Sequence, residues 1–308
     1  MAVNLHKVSG RRVLGTALTL CTVVIWGSMS IVLKGVLGGL DPITLTWTRF
    51  TIIAILMAAF LAWRGGYRLL LSLRGTALLL LCLAIVGLCA NYVLFVIALK
   101  VLSPSSAQVL IQLSYIFLLC GGLIVFKESF SLRQWLGVGV LFAGLLLFFN
   151  QRYDEMFSLQ GTLSKSILIM VGSAAMWTVY ALAQKQLLRY LSPEPVMFAV
   201  GLGSALLLLP AATPSALSEL DLVRTLLLVV SASATLVAYI TFARALDHLE
   251  ATRVSMVVAI MPLVTVGGMA TWARLAPELF TYEQLNGLSM LGAGLVVVGS
   301  ALSSWGKS

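Results

Sequence analysis

The chain has 308 residues, 60% of them hydrophobic and only 10% charged, with a formal net charge of +9. A soluble domain carries about 25% charged residues, so a soluble globular fold is excluded and a membrane protein is expected. The basic residues are scattered over short loops and form no stripe, which argues against nucleic acid as a partner and makes the lipid bilayer the first one.

At the N-terminus Lys7, Arg11 and Arg12 precede an apolar run from Val13 to Leu33. The run is too long for the core of a signal peptide, and no small-residue cleavage site closes it. It reads as a first span. A span needs about 20 apolar residues, and by that measure ten helices are expected, at 13–35, 43–63, 75–98, 104–126, 132–150, 162–187, 194–210, 222–245, 251–272 and 284–303. Asp41-Pro42, Ser103-Pro104, Ser192-Pro193 with Pro195, and Pro210 with Pro214 punctuate the connections, as proline does at helix starts.

With the N-terminus inside, Lys7, Arg11, Arg12, Arg64, Arg68, Arg74, Lys127, Arg133, Lys185, Arg189, Arg244, Arg253 and Lys307 fall on the cytoplasmic side. Lys34, Arg49, Lys100, Arg152, Lys165, Arg224 and Arg274 fall on the outer side. This positive-inside bias places both termini in the cytoplasm. Cys21, Cys82, Cys89 and Cys120 all lie within apolar runs and read as reduced packing residues.

The chain also repeats itself. Trp26 and Lys34 match Trp177 and Lys185; Tyr92 and Phe95 match Tyr239 and Phe242. Ala98, Leu99, Leu102 and Gly121 match Ala245, Leu246, Leu249 and Gly268, and Glu128, Gln134, Gly137 and Gly144 match Glu278, Gln284, Gly287 and Gly294. The order is kept, and the offset drifts only as loop insertions would make it. The expected fold is therefore an all-α membrane protein of ten transmembrane helices: two five-helix repeats, residues 1–150 and 151–308, in one transmembrane domain. An odd number of spans per repeat forces the second to insert upside down, a construction found in transporters with a site near the midplane.

Several motifs resemble the EamA-type members of the drug/metabolite transporter superfamily. They are Ile25-Trp26-Gly27-Ser28 in the first span, Leu40-Asp41-Pro42 followed by Arg49-Phe50, and Ala98-Leu99 with Ala107 and Leu113. Phe126-Lys127-Glu128 before Gln134-Trp135-Leu136-Gly137 completes the set. The resemblance covers nearly the whole chain and implies a secondary exporter of amino acids or similar small metabolites in a bacterial inner membrane. One departure stands out: that family often has proline in the middle of the fourth span, where this chain has Tyr115, while the second copy keeps Pro262. The first half is therefore expected to bend less, with an aromatic hydroxyl facing the cavity.

Gln108, Gln112 and Tyr115, at i, i+4 and i+7, share one face of the fourth span. They would line a cavity and bond a substrate's polar groups, or tie helices together. Their counterparts are Ser255, Ala259 and Pro262, of which Ser255 keeps a polar group. Trp26, Tyr92, Trp177, Tyr180 and Tyr239 are aromatic with polar tips, and would cage an apolar or cationic group or simply pack. Asn91, the lone amide of its span, would orient the polar end of a substrate. Arg49, about two turns inside the second span, is costly unless functional or paired and would contact an anion. Lys34 and Lys185 sit at span ends, where snorkelling is the default. The paired glycines Gly137/Gly144 and Gly287/Gly294 are expected to pack helices within a protomer or across a homodimer.

The chain contains no Walker, HExxH or GxSxG sequence, so neither ATP hydrolysis nor a hydrolase triad is expected, and no cofactor or metal is implied. By pattern every acidic residue falls in a loop or at a helix end. A uniporter or exchanger is expected, or coupling through groups near helix ends. The competing readings are a transporter of drugs, lipids or other metabolites, an intramembrane enzyme, and a non-transporting receptor or scaffold.

Overall fold

A computed structural model describes residues 11–64, 70, 72–126, 131–158, 161–249, 251–280 and 283–304. His6, Lys7, Arg68, Lys127, Glu128 and Lys307 lie outside the described residues. The helices are α1 (Arg12–Val36), α2 (Pro42–Arg64), α3 (Thr76–Val101), α4 (Pro104–Leu110), α5 (Leu113–Phe126), α6 (Leu132–Phe148) and α7 (Tyr153–Phe157). They continue with α8 (Thr162–Leu187), α9 (Pro193–Leu208), α10 (Leu222–His248), α11 (Ala251–Val258), α12 (Met261–Leu275) and α13 (Gly287–Ser304). No strand occurs among the described residues.

Local chemistry sets the helix starts. Asp41 Oδ1 accepts from the backbone N–H of Ile43 (2.9 Å) and Thr44 (3.0 Å) at the head of α2. Ser103 caps α4 with Pro104 in its first turn, and Ser131 and Gln134 form a reciprocal capping box on α6. Asp221 caps α10 through Arg224 N–H at 2.8 Å. Each such cap contributes about 1 kcal/mol.

Seven helical segments are long and apolar enough to cross a membrane: Arg12–Val36, Pro42–Arg64, Thr76–Val101, Thr162–Leu187, Pro193–Ala211, Leu222–Phe242 and Met256–Leu275. An eighth is added if Leu132–Phe148 and Asn150–Phe157, which meet at 55°, form one span. The tenth expected span is the shorter apolar Gly287–Ser303, and the fourth is divided into α4 and α5.

The first half's fourth span is thus interrupted although it lacks the proline of the second copy. The chain breaks at Ile111 and Gln112 without any proline. Gln112 N–H bonds Val109 C=O (3.3 Å), Ser114 N–H bonds Ile111 C=O (2.9 Å) and Tyr115 N–H bonds Gln112 C=O (3.1 Å). These are i→i−3 bonds, so a tight 3₁₀-type turn replaces the α ladder. The second copy breaks at Ala259 and Ile260, one residue on from the corresponding place, with Ile260 N–H on Val257 C=O (3.1 Å) and Pro262 in the first turn of α12.

The helices pair as α1 with α10, α3 with α8, α2 with α9, and α6 with α13. The last pair is in backbone contact. A Cβ at Gly144 would lie 2.6 Å from Val296 N, and one at Gly292 would lie 2.3 Å from Phe148 N. Gly137 and Gly299 are equally confined, at 2.4 Å from Ser303 N and Leu141 N. Gly287 and Gly294, expected to pack like Gly137 and Gly144, have nothing within 4 Å. Gly292 is five residues beyond Gly287, about 140° around the helix, so the face α13 turns to α6 is the Gly292/Gly299 face. Of the cysteines only Cys89 is buried; Cys21, Cys82 and Cys120 are exposed, so they are not packing residues of the interior.

Candidate functional site

Three of these helix pairs bring polar and aromatic side chains together. Gly87 lets α3 close on α8: a Cβ there would sit 2.9 Å from Tyr180 N and 3.0 Å from Met176 O. Gly27 does the same for α1 against α12, where a Cβ would meet Val264 Cβ at 2.9 Å. The groups between these backbones come from α1, α2, α3, α8 and α10.

Arg49 on α2 is at the centre and is 1% exposed. Its Nη2 donates to Thr235 Oγ1 on α10 at 2.7 Å and approaches Met29 Sδ on α1 at 3.6 Å. The guanidinium carbon lies 4.9 Å from the centre of the Tyr92 ring on α3, a cation–π contact. Nε is buried with no hydrogen-bond partner, and no carboxylate lies within ion-pair distance among the described residues. An arginine at the centre of a spanning helix costs about 2.5–3.5 kcal/mol on insertion scales. Here the Thr235 hydroxyl, the Met29 thioether and the Tyr92 ring are among the groups that offset it. Leu202, its counterpart in the second half, points outward at 41% exposure, so the charge belongs to one half only.

The aromatics extend from this centre. Phe50 and Tyr92 rings are 5.1 Å apart, and Trp26 meets Tyr239 edge-on at 5.5 Å and Phe242 at 5.4 Å. The Tyr239 side chain interacts with Tyr92 and with Tyr180, and the buried Tyr180 hydroxyl reaches Met197 Sδ at 3.7 Å. Tyr92 and Tyr239, matched in sequence across the two halves, therefore touch in space. Trp177 packs beside them on the α3–α8 cluster around Leu88 and Tyr180.

The amides are placed differently. Asn91 Nδ2 donates to Ser173 O and Oγ, each at 2.9 Å, and Ser173 Oγ returns a bond to Asn91 O at 2.9 Å. This clasp joins α3 to α8. Gln112 Nε2 donates to Ala259 O at 3.1 Å, and Gln108 Nε2 lies 3.9 Å from Met261 Sδ. Tyr115, like Trp26 and Phe242, packs against the buried cluster that contains Val23, Leu249 and Val254. Ser255 lies on α11, and its side chain is outside the described set. Lys34 does not snorkel: its Nζ donates to Leu99 O (2.7 Å), Lys100 O (3.1 Å) and Leu102 O (3.0 Å) at the end of α3.

Thr235 and Ser173 are the site neighbours that sequence reasoning missed. A hydroxyl one turn from a charged or amide group in another span carries no signal until the pairing of the helices is known.

A profile of the EamA-like transporter family matches residues 13–150 and again 164–305. The chain belongs to the EamA-like transporter family. Each half of this EamA-like chain matches the same profile, as the internal repeat requires. An uncharacterized transporter of Haemophilus influenzae is 34% identical over 293 residues, covering 95% of both chains. The uncharacterized inner membrane transporter YhbE of Escherichia coli is 32% identical over 294 residues, covering 95% of this chain and 92% of its own. A probable amino-acid metabolite efflux pump of Salmonella typhimurium is 26% identical over 300 residues, covering 91% and 93%. A solved crystal structure shares the fold at a TM-score of 0.65 and 17% identity, covering 94% of this chain and 96% of that one. The EamA-like chain is thus a multi-pass membrane protein of a transporter family.

Proposed function

We propose that the protein is a secondary transporter of the inner membrane that exports amino acids or similar carboxylate-bearing metabolites by alternating access. The carrying observation is Arg49: a buried guanidinium with a free Nε and no carboxylate partner among the described residues, walled by Tyr92 and facing Thr235 of the other half. A substrate carboxylate supplies the missing anion through charge-assisted bonds. Trp26, Tyr239 and Phe242 then receive the apolar part, and Trp177 and Tyr180 close the α8 side. Asn91 and Gln112, held by Ser173 and Ala259, position helices around the substrate, and Gln108 faces it from the first broken span; Ser255 is assigned to the substrate from the sequence alone. The name of the Salmonella relative supports amino acids as the substrate class.

In this reading the chain has ten spans in two inverted halves, residues 1–150 and 151–308, with both termini cytoplasmic. The helix pairing supports it. Under the sequence offset α1 and α8 exchange, as do α3 and α10. The pairs α1–α10 and α3–α8 are thereby converted into one another, while α2–α9 and α6–α13 each pair with their own counterpart. Such pairing is what a two-fold axis between the halves produces, and an odd number of spans per half is what would put that axis in the membrane plane.

The test is counterflow in proteoliposomes with a panel of labelled amino acids and the matching decarboxylated amines. Exchange of the acids but not of the amines is expected. Exchange of the amines alone would remove Arg49 from substrate recognition.

A further inference from the structure

The electrostatics around Arg49 discriminate among carboxylates. In the seven apolar segments long enough to cross a membrane, Arg49 is the one aspartate, glutamate, lysine or arginine more than a turn from either segment end. The groups set against its guanidinium are neutral: the Thr235 hydroxyl, the Met29 thioether and the Tyr92 ring. These neighbours are already engaged within the protein. Thr235 Oγ1 accepts from Arg49 at 2.7 Å and donates to Ser231 O at 2.8 Å. The Tyr92 ring has the guanidinium carbon 4.9 Å from its centre and the Phe50 ring at 5.1 Å. Trp26 packs on Tyr239 at an interplanar angle of 73° and on Phe242 at 40°. What the site leaves open is a donor, the buried Nε of Arg49.

We propose that the Arg49 site prefers carboxylates with an oxygen in place of the ammonium, α-hydroxy and α-oxo acids with an apolar body, over the parent zwitterionic amino acids. The proposal rests on the reading of Arg49 as the carboxylate contact, and it narrows the solutes that contact admits. A monoanion seated on Arg49 makes a neutral complex, which is the inexpensive kind inside a span. A zwitterion leaves one net positive charge there, as in the empty site. Its ammonium is joined to the carboxylate through a single carbon, which sets it roughly 5–6 Å from the guanidinium, where two cations repel one another appreciably in a medium less polar than water. Entering the site also strips the ammonium of its water, and that loss needs a replacement. The Tyr92 face, which would serve a cation, already carries Arg49. Donors and acceptors point the same way. An ammonium has three donors and no acceptor, and a guanidinium has donors only, so neither satisfies the other. A hydroxyl or carbonyl oxygen on the same carbon accepts from Arg49 alongside the carboxylate and gives the open Nε a partner.

The experiment is calorimetric titration of the full wild-type chain in nanodiscs with phenylalanine, phenyllactate, phenylpyruvate and phenylpropionate, repeated with the matching leucine series. Phenyllactate keeps the shape of phenylalanine and exchanges the ammonium for a hydroxyl. Phenylpropionate removes the ammonium and puts nothing in its place, which separates relief of repulsion from the bond to the new oxygen. Phenyllactate and phenylpyruvate are expected to bind about tenfold or more tightly than phenylalanine, with phenylpropionate between them. Phenylalanine binding as tightly as phenyllactate, or more tightly than phenylpropionate, overturns the proposal and leaves Arg49 as the carboxylate contact. Failure of every acid in both series to bind the folded chain overturns the carboxylate reading and this proposal with it. The two failures are thus told apart in one set of titrations.

Discussion

Gln112 Nε2 donates to the backbone carbonyl of Ala259 at 3.1 Å, and the two residues occupy equivalent places in the two halves. Each sits in the turn that breaks its span, so the two breaks brace one another. A broken helix leaves carbonyls unbonded, and in a membrane interior such groups need protein partners. The glutamine amide is that partner. Replacing Gln112 with Leu keeps the volume and strands the Ala259 carbonyl. The expected cost is about 1–3 kcal/mol, read as a lower unfolding midpoint in detergent, with Gln112→Glu worse because a carboxylate would face a carbonyl.

Asn91 and Ser173 exchange hydrogen bonds in both directions. A double-mutant cycle over Asn91→Ala and Ser173→Ala should give a coupling of about 1 kcal/mol, within the range found for buried polar pairs in membranes. Substrate affinity in the Ser173→Ala chain should change less than twofold by this account, on the order of 0.4 kcal/mol. A large affinity loss with no coupling would return Asn91 to the substrate.

The α6–α13 contact leaves no room for side chains at Gly144 and Gly292. Gly144→Val must push backbone against backbone, and a loss of about 1–3 kcal/mol or more is expected. Gly294→Val, on the open face of α13, should be close to neutral in the same thermal assay.

Asp41 gives a pH dependence outside the spans. Partial burial pushes its carboxyl up, but hydrogen bonds from the Thr44 side chain and from the backbone of Thr44 and Ile43 outweigh that and leave it below the ordinary 3.8. A depressed carboxyl stabilises the fold fully above its unfolded value, and that contribution is lost as pH falls through the lower folded value. Asp41→Asn, which can still cap, should flatten this acid limb while lowering neutral-pH stability by at most a few tenths of a kcal/mol.

Much of this was legible in the sequence, for identifiable reasons. Tyr92 and Tyr239 were readable as counterparts because tyrosine is rare enough in apolar sequence for an ordered match to carry weight, and the structure brings them into contact. Arg49 was readable because a charge two turns inside a span is expensive. The role of Gln112 was not: its partner is a backbone carbonyl released by a turn, and a turn made of i→i−3 bonds with no proline or glycine leaves no residue signature. Gly287 and Gly294 misled because equal spacing fixes a shared face but not which face meets α6. Glu283 reads as a loop residue by pattern. Only the folded chain shows one of its oxygens accepting from Ser105 N–H of the first half and the other buried.

The most direct measurement is counterflow by the purified chain in liposomes, wild type beside Arg49→Gln and Arg49→Lys, with labelled amino acids inside and out. Saturable exchange of carboxylate-bearing solutes is expected for the wild type. Arg49→Gln should lose at least about tenfold in apparent affinity, a removed charge-assisted pair being worth roughly 1.5–3 kcal/mol, and Arg49→Lys should fall between the two because an ammonium lacks the fork. Unchanged exchange in a folded Arg49→Gln chain, or none of any carboxylate solute by the folded wild type, would contradict a carboxylate site at Arg49.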